Sequence, residues 1–147
     1  MSSSYINVSL HIIFHIKNTS CVMKEEDLTR IFHYIGGTIR AISGHVYIVG
    51  GRPDHIHILA SPPVVVSLAD FVRTIKANTS RWIKGLDSSY SNFSWQEGYA
   101  AFSVSASRKV NVIHYISNQE IHHRKQTTLE EFHQFLEKNG FRLDKQN

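Results

Sequence analysis

Val46-Tyr-Ile-Val-Gly-Gly-Arg-Pro-Asp-His-Ile-His-Ile-Leu-Ala60 is the stretch that decides the fold. Val46 to Val49 and His55 to Ala60 are short, β-branched-rich runs, and Gly50 to Asp54 between them has turn-forming composition, so the segment predicts an antiparallel hairpin. Side chains alternate across a strand, which puts His55 and His57 on one face and Ile56 and Ile58 on the other. Two neutral ring nitrogens held side by side on a rigid strand form half of a site for a divalent cation. Without such an ion, the same pair would be two histidines hydrogen-bonded at a sheet surface.

Working outward, Tyr5 to Ile16 reads as a first strand, rich in Ile, Val and Phe, ending at Lys17-Asn-Thr-Ser20. From Lys24 the apolar residues Leu28, Ile31, Phe32, Ile35, Ile39 and Ile42 recur at three and four, predicting an amphipathic helix that stops before Gly44. The Gly36-Gly37 pair inside it would let a neighbouring backbone come close. After Pro62-Pro63, Ser67 is a cap for a helix with Leu68, Phe71, Val72, Ile75 and Trp82 on its apolar face. Tyr99 to Ser105 alternates as a fourth strand, and Ser107 is placed to cap a helix carrying Val110, Ile113, His114, Ile116 and Ile121. A last helix, Thr128 to Asn139, ends at Gly140. This order predicts a single domain over 1–147, an α+β sandwich of the ferredoxin-like kind with a four-stranded antiparallel sheet and helices packed on it.

The length, 147 residues, suffices for one core that buries roughly 70% of the unfolded surface. No apolar run approaches the ~20 residues of a membrane span, and the start lacks the pattern of an export signal. One cysteine, Cys21, cannot form an internal disulfide, so a cytoplasmic protein is expected. Sixteen Lys and Arg against twelve Asp and Glu leave a formal charge of +4, which favours a polyanionic partner.

A histidine pair needs further ligands. If Tyr115-Ile-Ser-Asn-Gln119 is one helix, four residues rotate by roughly 400° and bring Tyr115 and Gln119 to the same face. His122 falls near that stripe. Taken singly, Tyr115 is a packing residue and Gln119 an exposed helix position; their spacing singles them out. Asp54 either turns the hairpin or steadies a ligand histidine. Trp82, Trp95, Tyr99 and Phe102 are candidates for stacking on unpaired bases, or for the core.

With these residues in place the sequence resembles the single-tyrosine HUH transposases of the insertion sequence 200/605 type. The resemblance runs from His11-Ile-Ile-Phe-His15 through Pro53-Asp-His-Ile-His-Ile-Leu59, Trp95-Gln-Glu-Gly-Tyr99, Phe102-Ser-Val-Ser105 and Tyr115-Ile-Ser-Asn-Gln119 to His122-His-Arg-Lys125. It implies metal ligation by His55, His57 and Gln119 and a nucleophilic Tyr115 that forms a 5′-phosphotyrosine. It also implies single-stranded DNA with hairpins as substrate, and a homodimer, often with the tyrosine helix of one subunit completing the metal site of the other. Two histidines and an amide oxygen suit Mg²⁺ or Mn²⁺. Arg52, Arg73, Lys76, Arg81, Lys84, Arg108, Lys109, Arg124 and Lys125 are the candidate DNA-contacting residues, though a basic helix face is equally a solvated one. His122 and His123 read as polar or DNA-facing.

Two other functions fit parts of the pattern. One is a catalytically silent nucleic-acid-binding module of the same fold. The other is a zinc hydrolase built on His-x-His, which usually needs an adjoining Asp-His where Ile58, Leu59 and Ala60 stand. The leucine at 59 also argues against a histidine-nucleophile nucleotide hydrolase.

Overall fold

Pro62-Pro63 ends a strand in the middle of the sheet. Neither residue can donate to a ladder, so the strand before them ends at Ser61. Its antiparallel neighbour begins its pairing with that strand at Leu10, opposite Ala60. In the computed structural model, which describes residues 3–122 and 125–142, the first strand is therefore β1 (Leu10–His15) and not the longer run from Tyr5. Tyr5, Ile6 and Val8 are exposed.

The remaining elements are α1 (Leu28–Ala41), β2 (His45–Arg52), β3 (His55–Ser61), α2 (Leu68–Lys84), β4 (Ala100–Ser103), α3 (Lys109–Ser117), α4 (Gln119–His122) and α5 (Thr128–Lys138). The strands form one antiparallel sheet in the order β2-β3-β1-β4. This is an α+β fold with helices packed on a four-stranded sheet, as the order of elements predicts. Among the described residues no helix is long and apolar enough to cross a membrane.

The sheet has two different faces. Ile12, Phe14, Ile56, Ile58 and Ala60 point to one side, where Ile31, Ile35 and Ile39 of α1 and Phe71, Val72, Ile75 and Ile83 of α2 bury them. α2 starts on its Ser67 cap, whose hydroxyl accepts from the Asp70 amide at 3.1 Å. Trp82 stacks on Tyr34 of α1 at 4.6 Å between ring centroids, so it belongs to the packing. The pairs His15↔His55 and Ile13↔His57 put β1 and β3 in a register that lines up three histidines, with His11 opposite Leu59, on the second face.

Several boundaries differ from the sequence reading. The strand through Val46 to Val49 continues to Arg52, leaving Pro53-Asp54 as the turn. The Gly36-Gly37 pair admits no close backbone: a Cβ at Gly37 would meet nothing within 4 Å. The glycine that does so is Gly50, where a Cβ would lie 2.8 Å from the Ile116 carbonyl oxygen of α3. Ser107 caps nothing; a 3-10 turn, Ala106–Arg108, precedes α3, and the fourth strand shortens to four residues.

Beside the core, Asp27 is buried and its carboxylate accepts from the Tyr90 hydroxyl at 2.6 Å and from Arg30. The same hydroxyl accepts from the Lys24 amide at 2.8 Å. The Tyr90 bond, with burial opposing it and Arg30 assisting, holds the Asp27 carboxyl below its ordinary value. A carboxyl lowered on folding stabilises above its unfolded pKa and loses that contribution as pH falls. Tyr90→Phe should therefore cost about 1–3 kcal/mol at neutral pH in urea unfolding. The difference from wild type should shrink progressively below pH about 4.

Candidate functional site

Alternation along β3 carries His55 and His57 to the face away from the main core, and the later helices cover them completely. His55 is oriented from behind: its Nδ1 lies 2.7 Å from Asp54 Oδ1, and Asp54 Oδ2 accepts from the Thr128 hydroxyl at 2.8 Å. With Nδ1–H committed to a carboxylate, Nε2 faces the site. His57 Nδ1 lies 2.8 Å from His11 Nε2. Either ring can donate across that contact, and donation by His57 leaves its own Nε2 unprotonated, the tautomer a cation needs.

Both Nε2 atoms converge on Glu131 of α5, at 3.3 Å for His55 and 3.0 Å for His57. Gln119 Oε1 stands 3.0 Å from His55 Nε2, while its Nε2 donates to Glu131 Oε2 at 3.0 Å. The Tyr115 hydroxyl donates to the same Glu131 oxygen. Five side chains from β3, α3, α4 and α5 thus meet within one chain. Phe135, one turn beyond Glu131, closes the cluster by packing edge-on against His11 and Tyr115.

Tyr115 and Gln119 do not share one continuous helix. α3 ends at Ser117, and Asn118 interrupts it before α4 begins. The break leaves both side chains on the Glu131 carboxylate. α3 comes close enough because Gly50 has no side chain to hold Ile116 away.

The electrostatics follow from burial. Burial disfavours charge on His55, but bonds to Asp54 and Glu131 prevail and raise its pKa to about 9. Burial also acts on His57 and, although Glu131 opposes it, lowers that pKa to about 4. His11 is likewise held well below its usual value by burial and by His57, and His15 falls to about 4 through burial and the nearby His55. Against its own burial, Asp54 is drawn down to about 2 by His55 and Thr128. The Glu131 carboxyl, although buried, is held far below its ordinary range by the two histidines. Burial and the adjacent Glu131 carboxylate push the Tyr115 phenol well up.

Glu131, His55 and His57 offer one ligand atom each, all within 4.8 Å of one another. Ligands about 2.1 Å from an ion sit roughly 3–4 Å apart, so this buried group could hold a metal ion with modest adjustment. Glu131 was absent from the sequence reading, which gave Thr128 to Asn139 as a last helix and singled out none of its residues. The available signal was the carboxylate's spacing: Glu131 lies three residues after Thr128 and four before Phe135, on the stripe that faces the protein.

The basic candidates are dispersed. Arg73 pairs with Asp70 at 2.5 Å, Arg81 with Asn78 at 2.6 Å, and Lys76 donates to the Gln96 and Gly98 carbonyls at 2.8 Å each. These residues and Lys84 lie on α2, across the sheet from the histidines. Arg52 is paired with Glu25, and Lys109 donates to Tyr47 at 2.9 Å. Arg108 and Lys125 are exposed. His123 and Arg124 lie outside the described residues, as does the side chain of His122. Phe102 is buried beside Phe135, and Trp95 packs edge-on to Phe14 and Phe93 while its indole N–H donates to the Lys76 carbonyl. Tyr99 remains exposed.

A sheet carrying a buried histidine pair is thus closed by helices that bring a tyrosine, an amide and a carboxylate to one point. Residues 4–119 match the family described as Transposase IS200 like, and the chain belongs to that family. A crystal structure of a Deinococcus radiodurans R1 protein assigned as a transposase shares the fold, with a TM-score of 0.61 at 18% identity over 81% of this chain and 96% of the other. A REP-associated tyrosine transposase bound to a REP hairpin is similar too, with a TM-score of 0.58 at 16% identity over 100% of this chain and 92% of that one. No functionally curated protein matches the sequence.

Mn²⁺ titration followed by calorimetry should give one site per chain. In Glu131→Gln the affinity should fall by roughly 10- to 100-fold with the fold retained.

Proposed function

We propose that the protein is a metal-dependent transposase that cleaves and rejoins single-stranded DNA through a phosphotyrosine on Tyr115. The observation that carries this reading is the shared Glu131 carboxylate, which holds the Tyr115 hydroxyl beside the His55 and His57 imidazoles in one chain. His55, His57 and Gln119 are the proposed ligands of Mg²⁺ or Mn²⁺, with Glu131 added to the set. When bound, the ion supplies charge neutralisation and polarisation at a scissile phosphate.

The protein's own groups do the rest. Tyr115 attacks phosphorus, forming a 5′-phosphotyrosine, and its proton passes through water to the departing oxygen, which leaves as a 3′-hydroxyl, while Glu131 Oε2 orients the phenol through the bond it accepts. Burial and the neighbouring carboxylate disfavour the phenolate, so the positive charge of a bound ion is what would favour it. Asp54, anchored by Thr128, keeps His55 oriented. Because the phosphotyrosine retains the energy of the cleaved diester, attack by another 3′-hydroxyl reseals the strand with no nucleotide cofactor.

Hairpin-bearing single strands are the proposed substrate, consistent with the family and with the hairpin held by the REP-associated relative. The net charge of +4 supports a nucleic-acid partner, with phosphate contacts from Arg52, Arg73, Lys76, Arg81, Lys84, Arg108, Lys109, Arg124 and Lys125 as candidates. A homodimer is the proposed assembly, as the family resemblance implies. A cytoplasmic location accords with this substrate.

Palindromic single strands from the DNA flanking the gene, incubated with the protein and Mn²⁺, should yield a protein–DNA adduct stable to SDS. Tyr115→Phe and metal chelation should each remove the adduct while hairpin binding persists. Adduct formation by Tyr115→Phe at the wild-type level would overturn the assignment. Binding with no adduct for any flanking palindrome would favour a catalytically silent module.

A further inference from the structure

The two histidines of β3 are held from behind in different ways. His55 Nδ1 faces a carboxylate, that of Asp54, at 2.7 Å. His57 Nδ1 faces another imidazole, at 2.8 Å from His11 Nε2. A carboxylate only accepts, so it fixes its histidine in the Nδ1–H form, whereas an imidazole nitrogen donates in one tautomer and accepts in the other. We propose that His11 is a positioning residue that lets His57 exchange tautomers, between a form bonded to Glu131 and a form that ligates a metal, with both rings in place. The inference rests on the metal-dependent reading above and extends it to a residue outside the ligand set.

The surroundings of His57 call for both forms. Its Nε2 lies 3.0 Å from Glu131 Oε1, and a carboxylate oxygen can only accept, so Nε2 carries the proton there and Nδ1 accepts from His11 Nε2–H. A ligating His57 must instead offer Nε2 as a lone pair and carry its proton on Nδ1. That N–H then needs an acceptor at the same place, and His11 supplies one when its own proton sits on Nδ1. The exchange balances. The Nε2 proton of His11 passes to His57 Nδ1, His57 releases its Nε2 proton and His11 takes one proton at Nδ1, so the pair holds two protons before and after.

Burial confines this task to the two rings. His57 is fully buried and His11 is 2% exposed, and an N–H or lone pair left unmet there would carry its full desolvation cost. β1 sets His11 opposite Leu59 on one side and Phe102 on the other, and Phe135 packs edge-on to its ring at 4.9 Å. A ring packed in this way keeps its orientation, so the change from donor to acceptor is made by protons and not by moving side chains.

The test reads the protons and the affinity separately, on the full chain. In imidazole-nitrogen NMR spectra, His57 should be protonated at Nε2 in EDTA and at Nδ1 with Zn²⁺, a diamagnetic probe, while His55 keeps its Nδ1 proton in both. Calorimetry with Mn²⁺ then compares two variants. His11→Phe, which neither donates nor accepts, should bind roughly 10- to 100-fold more weakly than wild type. His11→Gln, whose amide can present either its oxygen or its N–H, should recover most of that loss. A residue needed only for packing would give the reverse order, because phenylalanine suits a buried site better than glutamine. Wild-type affinity in a folded His11→Phe, equal weakening in the two variants, or a His57 tautomer unchanged by Zn²⁺ overturns the role of His11 and leaves the strand-transfer reading standing. If His11→Phe does not fold, the wild-type spectra and the affinity of His11→Gln decide. A wild type that binds neither ion overturns the metal-dependent reading together with this one.

Discussion

The Glu131 carboxylate is the counter-charge on which the second face of the sheet depends. His55 and His57 are fully buried there, and a buried charge or unsatisfied imidazole is costly unless a partner meets it. Glu131 meets both, and it also receives the Tyr115 hydroxyl and the Gln119 amide. α5 is thus tied to β3 by polar contacts around which Phe132 and Phe135 pack on the histidine rings. The chemistry and the docking of the helix are the same set of contacts.

The opposite face is built on a different principle. There the sheet contributes Ile12, Phe14, Ile56 and Ile58, α1 and α2 contribute isoleucines, valine and phenylalanine, and the stabilisation is apolar burial without directional demands. One strand, β3, serves both faces. Its odd-numbered histidines are held rigidly because its even-numbered isoleucines are locked in the core. A side chain positioned this way needs no loop to hold it.

Placement of the tyrosine adds a third constraint. Gly50 allows α3 to rest on β2 with a backbone carbonyl where a Cβ would otherwise stand, and Asn118 breaks the helix so that Gln119 can turn toward His55. The spacing of four between Tyr115 and Gln119 does bring them together, although by a route other than a continuous helical turn. A cleft beside Asp54 shares its α5 wall with the histidine–glutamate cluster, so one helix shapes both.

Local pattern determined a good deal. Alternation in β3 placed His55 and His57 on one face, the three-four spacing of isoleucines and leucine marked α1, Ser67 marked the start of α2, and the order of elements gave the sheet. These are properties of near neighbours, and near neighbours are what a sequence displays. The length of β1 and the fates of Trp95 and Phe102 depended on which distant segments lay alongside. The same holds for the role of Gly50, which composition alone suggested for the turn. Glu131 is the clearest case: it lies 74 residues from His57 along the chain, and nothing local distinguishes it from an ordinary helix glutamate except its place on the inward stripe. Only the packing of α5 against the sheet made it the group that joins two histidines, an amide and a phenol, because contact between segments so far apart is decided by how the whole chain closes.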